Sequence, residues 1–183
     1  MISQKTFFER FFERLESEEI PYVVLRNYET LPDKADPDGD VDFLIPEHAS
    51  KNFQRILQHT LREQGEEILF VRHRFHCTSY FIFNTWIDAF TMIATRGVPW
   101  MNTSLILRER VRHPQEFFIP APGAEAAILF VKEILAGRAV RQRYKEKITA
   151  LMKKAGSSET FLRVLPSSFG EHALDLARHE KWE

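Results

Sequence analysis

The first half of the chain alternates between helical and extended hydrophobic patterns. Residues 3–18 place apolar side chains on one helical face and balanced acids and bases on the other, with Ser3 suited to cap the helix. Short apolar runs, each bounded by turn residues, predict buried strands. The elements predicted here are a helix over 3–18, strands over 22–25 and 40–45, and a helix from Pro46 to about Gln64, stopped by Gly65.

The middle of the chain is rich in β-branched and aromatic residues and is broken near Arg74 and Asn84, which favours antiparallel strands. From Arg96 onward the spacing of apolar positions is helical. The predicted strands cover 67–72, 76–83 and 86–93, and the predicted helices cover 123–135 (closed by Gly137), about 139–154, 161–165 and 170–178.

These elements predict an α+β fold, with a small mixed twisted sheet, helices on one face and a helical C-terminal segment. We expect a core over residues 1–95 and a helical segment over 96–183 packed on it. The 183 residues are 44% hydrophobic and include 16 phenylalanines, which excludes a disordered chain. The single cysteine, Cys77, and the absence of a long apolar run or signal-peptide core lead us to expect a soluble, cytoplasmic protein.

The net charge of −1 hides an acidic half and a basic half. Residues 1–92 contain 16 acids and 10 Lys or Arg, whereas residues 93–183 contain 10 acids and 15 Lys or Arg. Solvated helix faces explain such a split in most proteins. The two halves could alternatively cooperate on a metal–phosphate ligand, with the metal on the acidic side.

The stretch 36–45 carries aspartates at every second position and then enters an apolar strand. In a strand, Asp40 and Asp42 project from the same face, where two carboxylates repel each other unless a hard divalent cation compensates them. Asp36–Gly39 is also typical of a plain solvated turn. A calcium-binding EF-hand loop is excluded because its sixth position, which needs glycine, is Val41.

Two further charged residues interrupt apolar segments. Asp88 lies within the strand 86–90, where a carboxylate is costly unless it is paired, metal-bound or at a strand end facing water. Lys132 is the only cation of the apolar helix 123–135 and needs an anionic partner. The basic run 138–154 fits a solvated face or a set of phosphate contacts. His73, His76 and Cys77 match no zinc-ligand spacing.

The order of these motifs resembles the polymerase-beta-type nucleotidyltransferase superfamily, and within it a small bacterial branch linked to polysaccharide and sugar metabolism. The resemblance rests on the segments 23–32, 39–45 and 86–90. It implies transfer of a nucleotidyl group from a nucleoside triphosphate to a hydroxyl of a sugar or other small molecule. Asp40, Asp42 and Asp88 are then the catalytic residues and the ligands of Mg2+ or Mn2+, and Asp88 is a possible base.

The nucleotide is expected to contact Arg26 and Asn27 after the first strand, together with Lys132, Arg138 and Arg143 of the helical segment. The family has a Gly followed by Ser or Gly where this chain has Arg26 and Asn27, so a degenerate module that binds without catalysis is the alternative. In an enzyme we expect Arg26 to reach towards Asp40 and bind phosphate, whereas in a degenerate module it bonds an aspartate directly. Near-neutral charge argues against nucleic acid as a partner.

Overall fold

A computed structural model describes residues 3–26, 28–35, 40–95, 98–137 and 140–178. The chain forms two compact units, Met1–Met92 with Arg112–Ile119, and Ile93–Val111 with Pro120–Glu183. The mixed α+β class is confirmed. None of the described helices is long and apolar enough to cross a membrane. The predicted turn at Asp36–Gly39 lies outside the described residues.

The first unit is built on a mixed sheet of five strands within the described residues, ordered β1-β2-β5-β4-β3. Strands β2 and β5 are parallel, and the other neighbours are antiparallel. The strand bounds are β1 Val23–Val24, β2 Val41–Leu44, β3 Phe70–Arg74, β4 Cys77–Ile82 and β5 Thr85–Phe90. The predicted antiparallel arrangement of the last three strands is therefore confirmed.

One face of this sheet is covered by two helices, α1 (Gln4–Ser17) and α2 (Ser50–Arg62). Phe11 of α1 is fully buried, with its ring 5.7 Å from Phe43 of β2 and 5.2 Å from Phe53 of α2. Ser3 caps α1 as predicted, accepting a hydrogen bond from the backbone N–H of Thr6. The phenylalanine stripe of α1 is thus the centre of an aromatic core rather than a membrane-binding surface.

Local backbone chemistry fixes the ends of several elements. The helix predicted from Pro46 begins with a short 3-10 turn, Glu47–Ala49, before α2. Gly65, after α2, has a φ of +72°, which a side-chain-bearing residue adopts at a cost. Between β4 and β5, Phe83 and Asn84 both have positive φ and form the tight turn of the hairpin.

The second unit is mainly helical. Its described helices are α3 Thr103–Arg108, α4 Pro122–Gly137, α5 Gln142–Ala155, α6 Glu159–Val164 and α7 Ser167–Arg178. As predicted, α4 is largely buried. Two of its acids, Glu133 and Glu125, are 2% and 1% exposed and pair with Arg141 (2.6 Å) and Lys147 (3.1 Å). Unpaired acids would be very costly there, so these contacts tie α4 to the segment that begins at Arg141.

The helical pattern predicted from Arg96 onward does not hold for the part before α4. The described residues there form the short strands β7 Val98–Pro99, β8 Val111–Arg112 and β9 Phe118–Ile119, and β6 Ala94–Thr95 lies just before Arg96. They form the pairs β6–β7 and β8–β9. Strands of two residues are too short to show the alternation of apolar and polar positions by which strands are recognised in a sequence.

The packing of α1 gives a direct test of the core. Replacing Phe11 with Ala should lower the free energy of unfolding by about 3–5 kcal/mol, because it leaves a cavity among fully buried rings. The matched control is Phe75→Ala, since Phe75 is 86% exposed and its loss should change stability by less than about 0.5 kcal/mol. Urea unfolding followed by circular dichroism measures both. Equal stability of the two variants would contradict the central position of α1.

Candidate active site

The pairing of β2 with β5 brings two of the predicted site residues together. In this parallel pair Asp42 is the direct partner of Asp88. Directly paired residues on neighbouring strands point to the same face, so both carboxylates project from the face opposite the aromatic core. Asp40, which precedes β2 by one position, is half-buried. The expectation that the strands of Asp42 and Asp88 are neighbours is confirmed, whereas the catalytic role of these residues stays a prediction.

The carboxylates belong to a row of side chains that crosses four strands. Asp42 pairs with Asp88, Asp88 with Ser79 of β4, and Ser79 with Arg72 of β3. Ser79 is fully buried, whereas Arg72 is exposed at the edge of the sheet. This face of the sheet is therefore polar along one row, with acids at one end and a cation at the other.

Both paired aspartates are deeply buried, and each has an oxygen whose hydrogen-bonding capacity is not used by described residues. Asp42 is 2% exposed and Asp88 is 6% exposed. The Oδ1 atoms of both carboxylates are buried and accept no hydrogen bond within the described part of the chain. A buried carboxylate oxygen without a donor is strongly destabilising, so the site favours the binding of a cation or a proton.

Arg26 is the residue that compensates part of this charge. Its Nε donates a hydrogen bond to Asp42 Oδ2, and the two side chains form an ion pair. The backbone N–H of Leu25 donates to the carbonyl of Asp42 at 2.8 Å, which places Arg26 immediately beyond the end of β1 and next to the acid. A direct bond to an aspartate is the arrangement that we expected of a degenerate site.

The carboxylates also influence one another electrostatically. Burial raises the pKa of Asp42 to about 6, although Arg26 lowers it, and the charges of Asp88 and Asp40 raise it further. Burial likewise raises the pKa of Asp40, with the charge of Asp88 as the next cause. Asp88 therefore acts on both of the other acids, as expected for three carboxylates that share one region.

Asp42 and Asp88 provide some, but not all, of the ligands that a divalent cation needs. The Oδ1 atoms of Asp42 and Asp88 are hard oxygen ligands without another partner among described residues. Within the described residues, however, no group of three or more His, Cys, Asp or Glu side chains is arranged to hold a metal. Because Mg2+ is commonly held by one or two carboxylates together with substrate phosphates and water, the pair suffices for this mode of binding.

The cations predicted to contact the nucleotide are only partly described. Asn27, Arg138 and the side chain of Arg143 lie outside the described residues. Lys132 of α4 is half-buried and takes part in none of the ion pairs found between described residues. Glu109, an acid of the same unit, pairs with Arg163 at 2.9 Å.

The basic run 138–154 is partly used inside the protein, because Arg141 and Lys147 neutralise the buried acids of α4. Sequence reasoning instead missed Arg72 and Arg74, which lie on the edge strand β3 with side chains on the same face as the aspartates. Their charges lower the pKa of Asp40 against the raising effect of burial. Alternation along β3 shows that Arg72 and Arg74 share a face. That this face also carries the aspartates follows only from the pairing of β3 with β4 and of β4 with β5.

The fold is similar to solved structures of a nucleotidyltransferase. One is a solution structure of the antibiotic-resistance factor ANT(2'')-Ia, with a TM-score of 0.52 and 11% identity, covering 97% of both chains. The other is a crystal structure of ANT(2'')-Ia in complex with adenylyl-2''-tobramycin, with a TM-score of 0.56 and 9% identity, covering 97% of this chain and 98% of the other. No protein-family model and no curated protein matches the chain. These likenesses confirm the nucleotidyltransferase-like fold, and the link to a sugar-metabolism branch stays a prediction.

The raised pKa of Asp42 gives a pH-dependent prediction. Because the folded state holds this proton more tightly than the unfolded state, the contribution of Asp42 to stability falls as pH rises from about 4 to about 6. Without metal, Asp42→Asn should therefore become as stable as wild type or more stable towards pH 7, by up to roughly 3 kcal/mol. The difference in unfolding free energy between the two proteins, measured from pH 4 to pH 7, tests this. A difference that does not change with pH would contradict it.

Proposed function

We propose that this protein transfers a nucleotidyl group from a nucleoside triphosphate to a hydroxyl of a sugar-like small molecule. The observation that supports this most directly is the pair of buried Oδ1 atoms of Asp42 and Asp88, which lie side by side on one sheet face and accept no hydrogen bond from described residues. The fold adds support, since both ANT(2'')-Ia structures share it across nearly the whole chain.

In the proposed reaction the acceptor hydroxyl oxygen forms a bond to the α-phosphorus of the nucleotide. The bond between that phosphorus and the oxygen bridging to the β-phosphate breaks, and pyrophosphate leaves with the electron pair. Asp88 is the proposed base that accepts the hydroxyl proton.

Asp42 and Asp88, with Asp40 at the start of the strand, are the residues that would hold Mg2+ or Mn2+. When bound, such an ion neutralises charge on the phosphate oxygens as the bond to the leaving group breaks. Asp42 presents Oδ1 because Arg26 already occupies Oδ2. This arrangement leaves one oxygen of each paired carboxylate for the ion.

The proposed class of acceptor follows from chemistry seen in a neighbour. The crystal structure of ANT(2'')-Ia contains adenylyl-2''-tobramycin, in which a nucleotidyl group is attached to an amino sugar antibiotic. We therefore place sugars and aminoglycosides first among the acceptors to be tested for this chain.

A second candidate function is nucleotide binding without transfer, and the Arg26–Asp42 ion pair favours it. A free set of three carboxylates carries a charge of about −3 and attracts a metal strongly, whereas the Arg-paired set carries about −2 and attracts it less. In this case Arg26 takes the place of a cation permanently, and turnover is absent.

Measuring metal binding distinguishes a carboxylate site that binds Mg2+ from an Arg26–Asp42 ion pair that binds no metal. Mg2+ should raise the melting temperature of the wild-type protein, and Asp42→Asn and Asp88→Asn should abolish the rise, because each removes a ligand. Asp33→Asn is the matched control, since Asp33 is exposed and paired with Lys5. Equal Mg2+-dependent shifts in wild type and in both site variants would show that these carboxylates are not ligands.

Arg26→Ala distinguishes transfer from binding alone. In an enzyme this substitution should weaken binding of nucleoside triphosphates, because it removes a bidentate phosphate partner. In a binding module it should instead strengthen Mg2+ binding, because it frees Asp42. Isothermal titration with Mg2+ and with each of the four nucleoside triphosphates measures both effects. Arg26→Lys, which keeps the charge without the planar fork, is the control.

Turnover itself is tested by pyrophosphate release from the four nucleoside triphosphates in the presence of sugars and aminoglycosides. Asp88→Asn should lower the rate by about 10²–10⁴-fold if Asp88 accepts the proton. Nucleotide and metal binding without release of pyrophosphate under any of these conditions would establish the second candidate function.

A further inference from the structure

We propose that Arg72 and Arg74, on the edge strand β3, bind the β- and γ-phosphates of the nucleotide and thus hold the pyrophosphate that leaves. This inference rests on the proposed nucleotidyl transfer and assigns a phosphate site to residues other than those that the family resemblance suggests. Both arginines lie in the first unit, as do the three aspartates.

The register of the sheet places these arginines on the same face as the carboxylates. Arg72 pairs with Ser79, which pairs with Asp88, so Arg72 and Asp88 share one row. Arg74 pairs with Cys77 in the adjacent row, two residues along β3. Because successive strands are about 4.8 Å apart, the backbone of Arg72 lies about 10 Å from that of Asp88.

The side chain of Arg72 packs against a residue of the strand that carries Asp88. Its guanidinium lies 4.8 Å from the centre of the Trp86 ring. Trp86 is on β5, two residues before Asp88. Trp86, whose ring is 5.0 Å from that of Phe81, positions the guanidinium by a cation–π contact.

Neither arginine has its charge neutralised by an acid within the described part of the chain. None of the ion pairs between described residues involves Arg72 or Arg74. Each therefore presents a planar set of N–H donors, suited to bidentate bonds with phosphate oxygens, beside a site suited to Mg2+.

Exposed charges on an edge strand have another common role, since they prevent pairing with the edges of other sheets. That role requires no ligand, and it predicts that substitution of either arginine leaves the nucleotide affinity unchanged. The Arg72 guanidinium lies over the Trp86 ring and does not extend outward from the sheet edge. This position favours the phosphate site.

The test is isothermal titration of the full chain with Mg2+ and three probes: the nucleoside triphosphate that wild type binds best, its monophosphate, and inorganic tripolyphosphate. Arg72→Gln and Arg74→Gln should each weaken the binding of triphosphate and of tripolyphosphate by about tenfold or more, because each loses a charge-assisted contact. Monophosphate affinity should be unchanged. Arg62→Gln is the matched control, because it removes the same charge from an exposed position on α2, which covers the opposite face.

Trp86→Leu tests the positioning role separately. It should raise KM for the triphosphate with little change in kcat, and Arg72→Lys, which keeps the charge but not the fork, should recover only part of the affinity. Unchanged triphosphate affinity in the Arg72→Gln/Arg74→Gln double variant would overturn the proposal. A loss of monophosphate affinity as large as the loss of triphosphate affinity would also overturn it.

Failure of the proposed function gives a different result. If wild type binds no nucleoside triphosphate, nucleotidyl transfer is excluded, and the tripolyphosphate probe still decides whether the two arginines form an anion site. If wild type binds tripolyphosphate and the double variant does not, the anion site formed by the two arginines is supported. If wild type does not bind tripolyphosphate, that site is rejected.

Discussion

The candidate site depends on the parallel pairing of β2 with β5. These strands are separated along the chain by α2 and by two antiparallel strands, and their pairing sets Asp42 beside Asp88. A residue directly opposite another on the neighbouring strand shares its face, so this single pairing determines that the acids meet and that Phe43 and Ala89, the next pair, enter the core. The polar site and the aromatic core are thus opposite sides of the same hydrogen-bonded ladder.

Burying these carboxylates opposes folding, and the aromatic core offsets that cost. Phe11, Phe43 and Phe53 are fully buried and contact one another through edge-to-face rings. Across the sheet, Arg26 neutralises one oxygen of Asp42, and the Oδ1 atoms of Asp42 and Asp88 have no donor among described residues. A stable scaffold on one face thereby supports a strained charge distribution on the other, as is common where groups are arranged for binding or catalysis.

Local patterns predicted much of this arrangement from the sequence. The period of 3.6 residues predicted α1, α2 and α4, and the apolar run after Asp40 predicted the strand that carries Asp42. What local patterns could not provide was the partner of each strand. The bond from Arg26 to Asp42, the row from Asp42 to Arg72 and the pairing of Arg141 with Glu133 all depend on non-local geometry. The strands β6 to β9 were missed because they are too short to show a period.

The tight turn at Phe83 and Asn84 has a consequence for how this site can change over time. The turn fixes which residue of β4 faces which residue of β5, and hence aligns Ser79 with Asp88. A slip of one position would turn Asp88 towards the phenylalanines and expose Ile87 on the polar face, since side chains alternate along a strand. A one-residue insertion or deletion in this turn would therefore disrupt the site, although the turn lies outside the row of polar residues.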